Sequence, residues 1–325
     1  MERLAVKYLG LNLGSPLIVS SSGLTSTIGY LKEAEDSGAG AVVLKSLFEE
    51  QITRHISNID LAYGFPEAGD YLANYVKSHS VDEYLNLIRK AKEVLTIPVI
   101  PSINCYSSEG WTGFARNIAD AGADALEINV FFLPTDRKKS AADSEKIYIE
   151  LIEKLKNIIK IPLAIKIGYR FSNILNIIDQ FYNRKVEGVV MFNRFFELDI
   201  DINQVDIIPA SVFSTESEMR LVTRWIAMAS AQDIKIDISA STGVHSGADA
   251  IKYLLAGAAS VQVCSVLYQK GIPFLKDMNK QIAGWMEKKG YNSIADFRGK
   301  LNYRNYSKPV IFERTQFMKH FASHD

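Results

Sequence analysis

Two short turns of small residues could do chemistry: Thr242-Gly243, after the apolar run from Ile236 to Ala240, and Cys264-Ser265, after the run from Ser260 to Val263. Each run reads as a buried strand that enters a helix, because apolar residues at helical spacing follow it. Between them, Ala248 to Leu255 carries that spacing, and Gly257 stands where a left-handed C-terminal cap suits glycine. Two such turns at one edge of a parallel sheet bring two sets of backbone N–H groups together, an arrangement that cradles phosphate. One turn alone reads more readily as a plain strand-to-helix connection. Two in succession near the end of the chain favour the phosphate reading, because loops after the last two strands of (β/α)8 barrels form such sites.

Polar residues at the ends of other apolar runs extend the candidate site: Ser22 and Gly23, Lys45 and Ser46, Asn104 and Cys105, Asn129, Lys166 and Asn193. In a barrel all of them share the C-terminal mouth, where active sites lie. Lys45 and Lys166 stand out because each closes a run of small and branched apolar residues, AVVLK and LAIK. A lysine so placed needs an anionic or electron-rich partner to offset its desolvation. Two lysines, two asparagines and the cradle fit a large phosphorylated ligand with a polar heteroaromatic head.

The elements that must position these residues repeat along the chain. The pattern of small residue, glycine, small residue and then apolar strand occurs in SGAGAVVLK, AGADALEIN, VEGVVMFN and AGAASVQVC. A second series, PLIVSSSG, IPVIPSINC, IPLAIKIGY and IKIDISAST, interleaves with it. Helical patterns such as VDEYLNLIRKAKEVL and SEKIYIELIEKLKNII lie between them. Near-continuous apolar strands suit a parallel sheet covered on both faces. Eight alternating units therefore predict an α/β fold, a single-domain (β/α)8 TIM barrel over residues 1–301, followed by a C-terminal extension, 302–325.

Composition narrows the function. The 325 residues include 37 basic and 37 acidic side chains, so no overall field favours nucleic acid or an anionic membrane. The N-terminal stretch has neither a signal-peptide core nor about 20 continuous apolar residues, so a soluble cytoplasmic protein is expected. Two cysteines and five scattered histidines give no disulfide framework and no metal-ligand spacing, so no metal is expected.

The combination SSSG, AGAVVLKS, LEIN, AIKIG, VVMFN, STGVHSGADAIKYLLAGAASVQVCSVLYQKG and GYNSIADFRGKL resembles the class 1 dihydroorotate dehydrogenases, which are FMN-dependent, over residues 4–301. The resemblance implies an FMN enzyme that moves hydride between flavin N5 and a C–C bond of a small, pyrimidine-like substrate. It implies that Thr242, Gly243, Cys264 and Ser265 hold the FMN phosphate, and that Ser22, Gly23, Lys45 and Ser46 lie along the isoalloxazine and ribityl chain. It also places Asn129 and Asn193 on flavin or substrate, and Lys166 beside the N1–C2 edge, where a cation favours the electron-rich reduced ring. A homodimer is implied as well, and the mixed aromatic and basic residues of the tail suit packing across a neighbouring subunit better than nucleic-acid binding; the electron acceptor is left open.

Departures from the resembled pattern fall on the substrate side. The family's Asn-x-Ser-Cys-Pro-Asn loop, whose cysteine removes a proton, here reads Asn129-Val130-Phe131-Phe132-Leu133-Pro134, so Phe132 occupies the base position. Losing a general base lowers the rate by about 10²–10⁴-fold. The family's Asn-x-x-Gly-Leu-Pro-Asn loop reads Leu61-Ala62-Tyr63-Gly64-Phe65-Pro66-Glu67, and Glu67 would repel a substrate carboxylate. Arg194 follows Asn193 where a small hydroxyl residue is usual, which adds a cation to the mouth. These changes weigh against orotate itself. Lys45 and Cys105 remain as candidate catalytic groups, although Cys105 reads more readily as a small filler of its turn. The alternative is an electron-carrier or regulatory flavoprotein that kept FMN and lost dehydrogenation. A flavoenzyme acting on tRNA would need a basic face that the balanced charge does not supply.

Overall fold

The computed structural model of the protein describes residues 2–48, 81–105, 112–130, 133–195 and 197–314. The chain enters with a hairpin, β1 (Val6–Tyr8) and β2 (Leu11–Leu13), followed by β3 (Leu17–Val19), α1 (Ile28–Asp36), β4 (Ala41–Val43) and β5 (Leu47–Phe48). Next come α2 (Val81–Val94), β6 (Val99–Ile100), β7 (Ser102–Cys105), α3 (Thr112–Asp120), β8 (Leu126–Val130), α4 (Ala141–Ile158), β9 (Leu163–Ile167) and α5 (Ile174–Asn183). Then follow β10 (Gly188–Met191), a ribbon of β11 (Leu198–Asp201) and β12 (Asp206–Pro209), α6 (Met219–Ala229) and β13 (Asp237–Ala240). The chain continues with α7 (Gly247–Ala256), β14 (Ser260–Val263), α8 (Ser265–Lys270), α9 (Phe274–Lys289) and α10 (Val310–Glu313).

Ten parallel strands run as neighbours in the order β5-β7-β8-β9-β10-β13-β14-β3-β4-β6. The segments β6 and β7 are one stretch interrupted at Pro101, whose missing N–H breaks the ladder, and β4 and β5 are likewise two parts of one stretch. Because β4 pairs with β6 and β5 with β7, the two ends of the sheet meet on the same two stretches. The sheet thus closes into the eight-stranded (β/α)8 barrel that the sequence pattern predicts.

Alternation along each strand sends every second side chain to the barrel axis. The lower axis is filled by Ile18, Ala41, Val43, Ile100, Ala125, Ala164, Val190 and Ala259, and the entering hairpin plugs the floor with Tyr8, Leu9 and Leu13. On β9 the same alternation that turns Ala164 inward turns Lys166 inward one layer higher. On β8 it turns Glu127 and then Asn129 inward. The polar residues therefore stack above an apolar floor, toward the C-terminal mouth.

Two further segments lie outside the alternating pattern. The β11–β12 ribbon pairs Ile200 with Ile207 and Leu198 with Pro209, and this apolar face is exposed. The described part of the tail folds onto its own barrel: the Tyr303 amide donates to the Ala227 carbonyl at 2.9 Å, and Arg224 Nη1 donates to the Phe312 carbonyl at 3.0 Å. Phe312 also packs between Tyr303 and Tyr306. No described helix is long and apolar enough to cross a membrane.

Candidate functional site at the barrel mouth

The turn after β13 holds two successive residues at positive φ, Thr242 at 80° and Gly243 at 75°. Threonine rarely adopts this conformation, so the surrounding contacts must enforce it. Thr242 Oγ1 donates to the Phe192 carbonyl at 3.0 Å, and Tyr253 Oη donates to the Thr242 carbonyl at 2.6 Å. Gly243 is packed so closely that a Cβ there would lie 2.7 Å from the Met219 amide nitrogen. Among the described residues its own N–H reaches only the Ser214 hydroxyl, at a long 3.3 Å, and that hydroxyl also donates to Ser265 Oγ at 3.1 Å. The turns after β13 and β14 are thereby brought together, as the sequence predicts, with Ser214 between them.

A cavity of about 160 Å³ opens at this point, lined among others by Ser20, Lys166, Asn193, Arg194, Gly243, Gln262, Cys264 and Ser265. None of its fourteen lining residues is acidic and two are cationic, so its chemistry suits a phosphate and its ester arm. Cys264 lies in this wall. Burial pushes its thiol up, with the Ser22 hydroxyl and Lys166 pulling the other way. The thiol therefore stays protonated at neutral pH and acts as wall rather than nucleophile.

Lys166 has the partner its position demands. Its Nζ lies 3.7 Å from Glu127 Oε1 and donates to Gln262 Oε1 at 3.1 Å and Ser20 Oγ at 3.2 Å. Gln262 Nε2 donates to the other Glu127 oxygen at 2.6 Å. Glu127 is 1% exposed and Lys166 8%, so this charged pair sits inside the barrel. The sequence reading missed Glu127 and Gln262. The signal was available: each is a polar residue two positions before a mouth residue, in LEIN and VQVC, and so on the same inward face.

The remaining mouth residues divide into two groups. Asn193 Nδ2 donates to Asn129 Oδ1 at 2.9 Å, joining strands β8 and β10 across β9. Ser46 joins Ser21 at 3.0 Å and Ser102 at 2.8 Å. Ser22 caps a short turn starting at Gly23, and a Cβ at Gly23 would meet the Tyr268 hydroxyl at 2.7 Å. Lys45 follows β4, half-buried, and desolvation lowers its ammonium pKa from the usual value.

Arg194 does not serve as an unengaged cation for substrate. Its Nε donates to Glu218 Oε2 at 2.8 Å, its Nη1 to the carbonyls of Ser211 and Val212, and its Nη2 lies 3.4 Å from Glu197. It braces the segment that carries Ser214. Cys105 ends β7 opposite Val130, and its side chain lies outside the described residues, as do Phe132 and the stretch from Leu61 to Glu67. Among the described residues no group of three His, Cys, Asp or Glu side chains could hold a metal.

The family profile for dihydroorotate dehydrogenase matches residues 3–286, a span that includes every mouth residue described above. The chain belongs to the dihydroorotate dehydrogenase family. It is 26% identical over 314 residues to the catalytic subunit of dihydroorotate dehydrogenase B (NAD(+)) from Thermoplasma volcanium, covering 92% of this chain and 98% of that one. The corresponding subunit from Methanosarcina acetivorans is 27% identical over 298 residues, covering 89% of this chain and 93% of that one. Subunit PreA of the NAD-dependent dihydropyrimidine dehydrogenase of Escherichia coli is 25% identical over 321 residues, covering 92% of this chain and 77% of that one. The relatives thus carry names for two different pyrimidine substrates.

Proposed function

We propose that the protein is an FMN-dependent oxidoreductase acting on a CH–CH bond of a small, pyrimidine-like molecule. The observation that carries this reading is the cavity at the barrel mouth, free of carboxylates, with Lys166 in its wall and the strained Thr242–Gly243 turn at its edge. Bound there, FMN would supply the hydride acceptor. Thr242, Gly243, Cys264 and Ser265 would hold its phosphate, Asn129 and Asn193 its ring or the substrate, and Lys45 and Ser46 its ring and sugar arm. Glu127 and Gln262 hold the Lys166 side chain in place from below, so that it faces electron-rich groups bound above it.

Substitution at the base position and at Glu67 separates this chain from the resembled pattern on the substrate side. An uncharged or differently placed pyrimidine ring suits those changes better than a carboxylate-bearing one. The presence of Phe132 at the base position also supports a second reading, an FMN electron carrier without dehydrogenase activity. Anaerobic mixing of the purified protein with dihydrouracil and, separately, dihydroorotate tests both. Bleaching of the visible flavin band by dihydrouracil alone is the expected result. A yellow protein bleached by neither, yet reduced by NADH with a partner subunit, leaves the carrier reading. A protein that neither contains nor takes up FMN overturns both. We also propose a cytoplasmic homodimer, for which the exposed apolar face of the β11–β12 ribbon is the supporting surface; light scattering of wild type and Ile200→Asp checks it.

A further inference from the structure

The opposite end of the barrel holds a larger groove, about 860 Å³, that the mouth chemistry does not use. Its walls include Tyr182, Lys185, Lys235, Asp237, Arg298 and Asn302. It lies where the chain leads into β10 and β13, two strands that pair side by side from Gly188 and Asp237 onward. Lys185 stands just ahead of the first and Lys235 just ahead of the second.

Lys185 occupies a position that glycine takes at three other helix ends of the chain. Three helices before barrel strands end on a glycine in the left-handed region: Gly38 at φ 84°, Gly122 at 95° and Gly257 at 119°. At the end of α5 the same position is Lys185, at φ 60°. The equivalence is geometric. The amides of Ala39, Val186 and Ala258, each one residue further on, donate five residues back to Ala34, Phe181 and Tyr253, the hydrogen bond of a Schellman cap. A lysine in a conformation that glycine adopts freely is unfavourable for folding and calls for another explanation.

The charges of the groove supply one. Neither Lys185 nor Lys235 makes an ion pair or hydrogen bond through its ammonium to a described residue, and Arg298 Nη2 lies a loose 4.0 Å from Asp237. The two carboxylates of the groove are engaged by the protein: Glu187 takes Lys156 at 2.7 Å and the Leu163 amide at 2.8 Å, and Asp237 takes the Leu9 amide at 2.8 Å. Asn302 is 7% exposed, and while its Oδ1 accepts from the Asn305 amide, its Nδ2 donates to no described residue. The groove therefore offers three cationic groups against two carboxylates, each of which already accepts from the protein. Its volume falls in the range of small-molecule sites, about 300–1,000 Å³.

We propose that this groove at the barrel floor binds a phosphorylated small molecule of nucleotide size, held by Lys185, Lys235 and Arg298 and remote from the flavin cradle. The test is titration calorimetry of the full-length protein with pyrophosphate and with AMP as probes, on wild type, Lys185→Gly and Lys235→Gln. Saturable binding of at least one probe is expected, weakened about tenfold or more by either substitution, as for loss of a charge-assisted contact. Lys185→Gly should at the same time melt no lower than wild type, because glycine suits the backbone there; binding is then lost without damage to the fold. Two results overturn the proposal: neither probe saturates, or binding survives both substitutions, which would put the anion at the mouth cradle instead.

Discussion

At the mouth of the barrel Lys166 faces Glu127, and Arg194 faces Glu218 and Glu197, whereas at the floor Lys185 and Lys235 meet no described carboxylate. The contrast follows from burial. A lysine on an inward strand position loses its hydration on folding, so the fold holds together only if a partner is built in. A lysine at the rim of an open groove keeps its water and can leave its partner to be supplied from outside. The mouth cations are thus fixed parts that shape a site; the floor cations are the available ones.

The sharpest way to break this comparison is to remove the buried partner. Lys166→Met leaves the Glu127 charge inside the barrel with Gln262 as its remaining described hydrogen-bond donor. A loss of about 3–5 kcal/mol is expected in urea unfolding, the usual consequence of orphaning a buried ion. Lys166→Met combined with Glu127→Gln should recover most of it. If the double variant is no more stable than the single one, Glu127 is not the charge that Lys166 serves.

A smaller effect is expected from the cradle itself. Gly243→Ala places a Cβ 2.7 Å from the Met219 amide nitrogen at a residue with φ of 75°. The neighbour is backbone and cannot step aside, so about 1–3 kcal/mol should be lost. FMN retention through gel filtration should fall with it. Retention equal to wild type would place the phosphate elsewhere.

Arg194→Gln should cost least of the mouth variants, within about 1 kcal/mol, because its ion pairs are partly solvated. Its visible effect should be local: the segment 211–218 loses its brace, and hydrogen exchange there should accelerate while β9 and β10 stay protected. Uniform acceleration would show that Arg194 supports the barrel rather than the loop.

How far the sequence leads depends on whether local pattern or distant partners decide the feature. The eight strands, the α7 helix and its Gly257 cap are readable because periodicity and backbone preference are local properties. So is the convergence of Thr242-Gly243 and Cys264-Ser265, which follows once adjacent parallel strands are recognised. The partners of Lys166 and Arg194 are not readable in the same way. Glu127 lies 39 positions before Lys166 on a neighbouring strand, and Glu218 lies beyond a ribbon that the eightfold pattern does not include. The tail shows the same limit. Its aromatic residues suggest an interface, and only the fold reveals that Tyr303, Tyr306 and Phe312 pack on one another while the tail backbone bonds to α6.

The floor offers the subtlest test, through pH. Asp237 is mostly buried beside the β1–β2 plug, and desolvation raises its carboxyl pKa above the ordinary value, although the Leu9 amide and Arg298 pull the other way. In the pH range above about 3.9, the unfolded chain has released this proton while the folded chain still holds part of it, so the folded state loses stability as pH rises. The loss is complete once pH passes the raised folded-state value. Asp237→Asn lacks that dependence and keeps an acceptor for the Leu9 amide. The variant should match wild type near pH 3 in chemical unfolding, about a unit below the ordinary carboxyl pKa, then gain on it as pH rises and level off. This small difference also bears on the floor groove. If the Asp237→Asn variant instead becomes less stable than wild type as pH rises, the Asp237 charge is favourable, Arg298 is its true partner, and one of the three cations assigned to an outside anion is already taken.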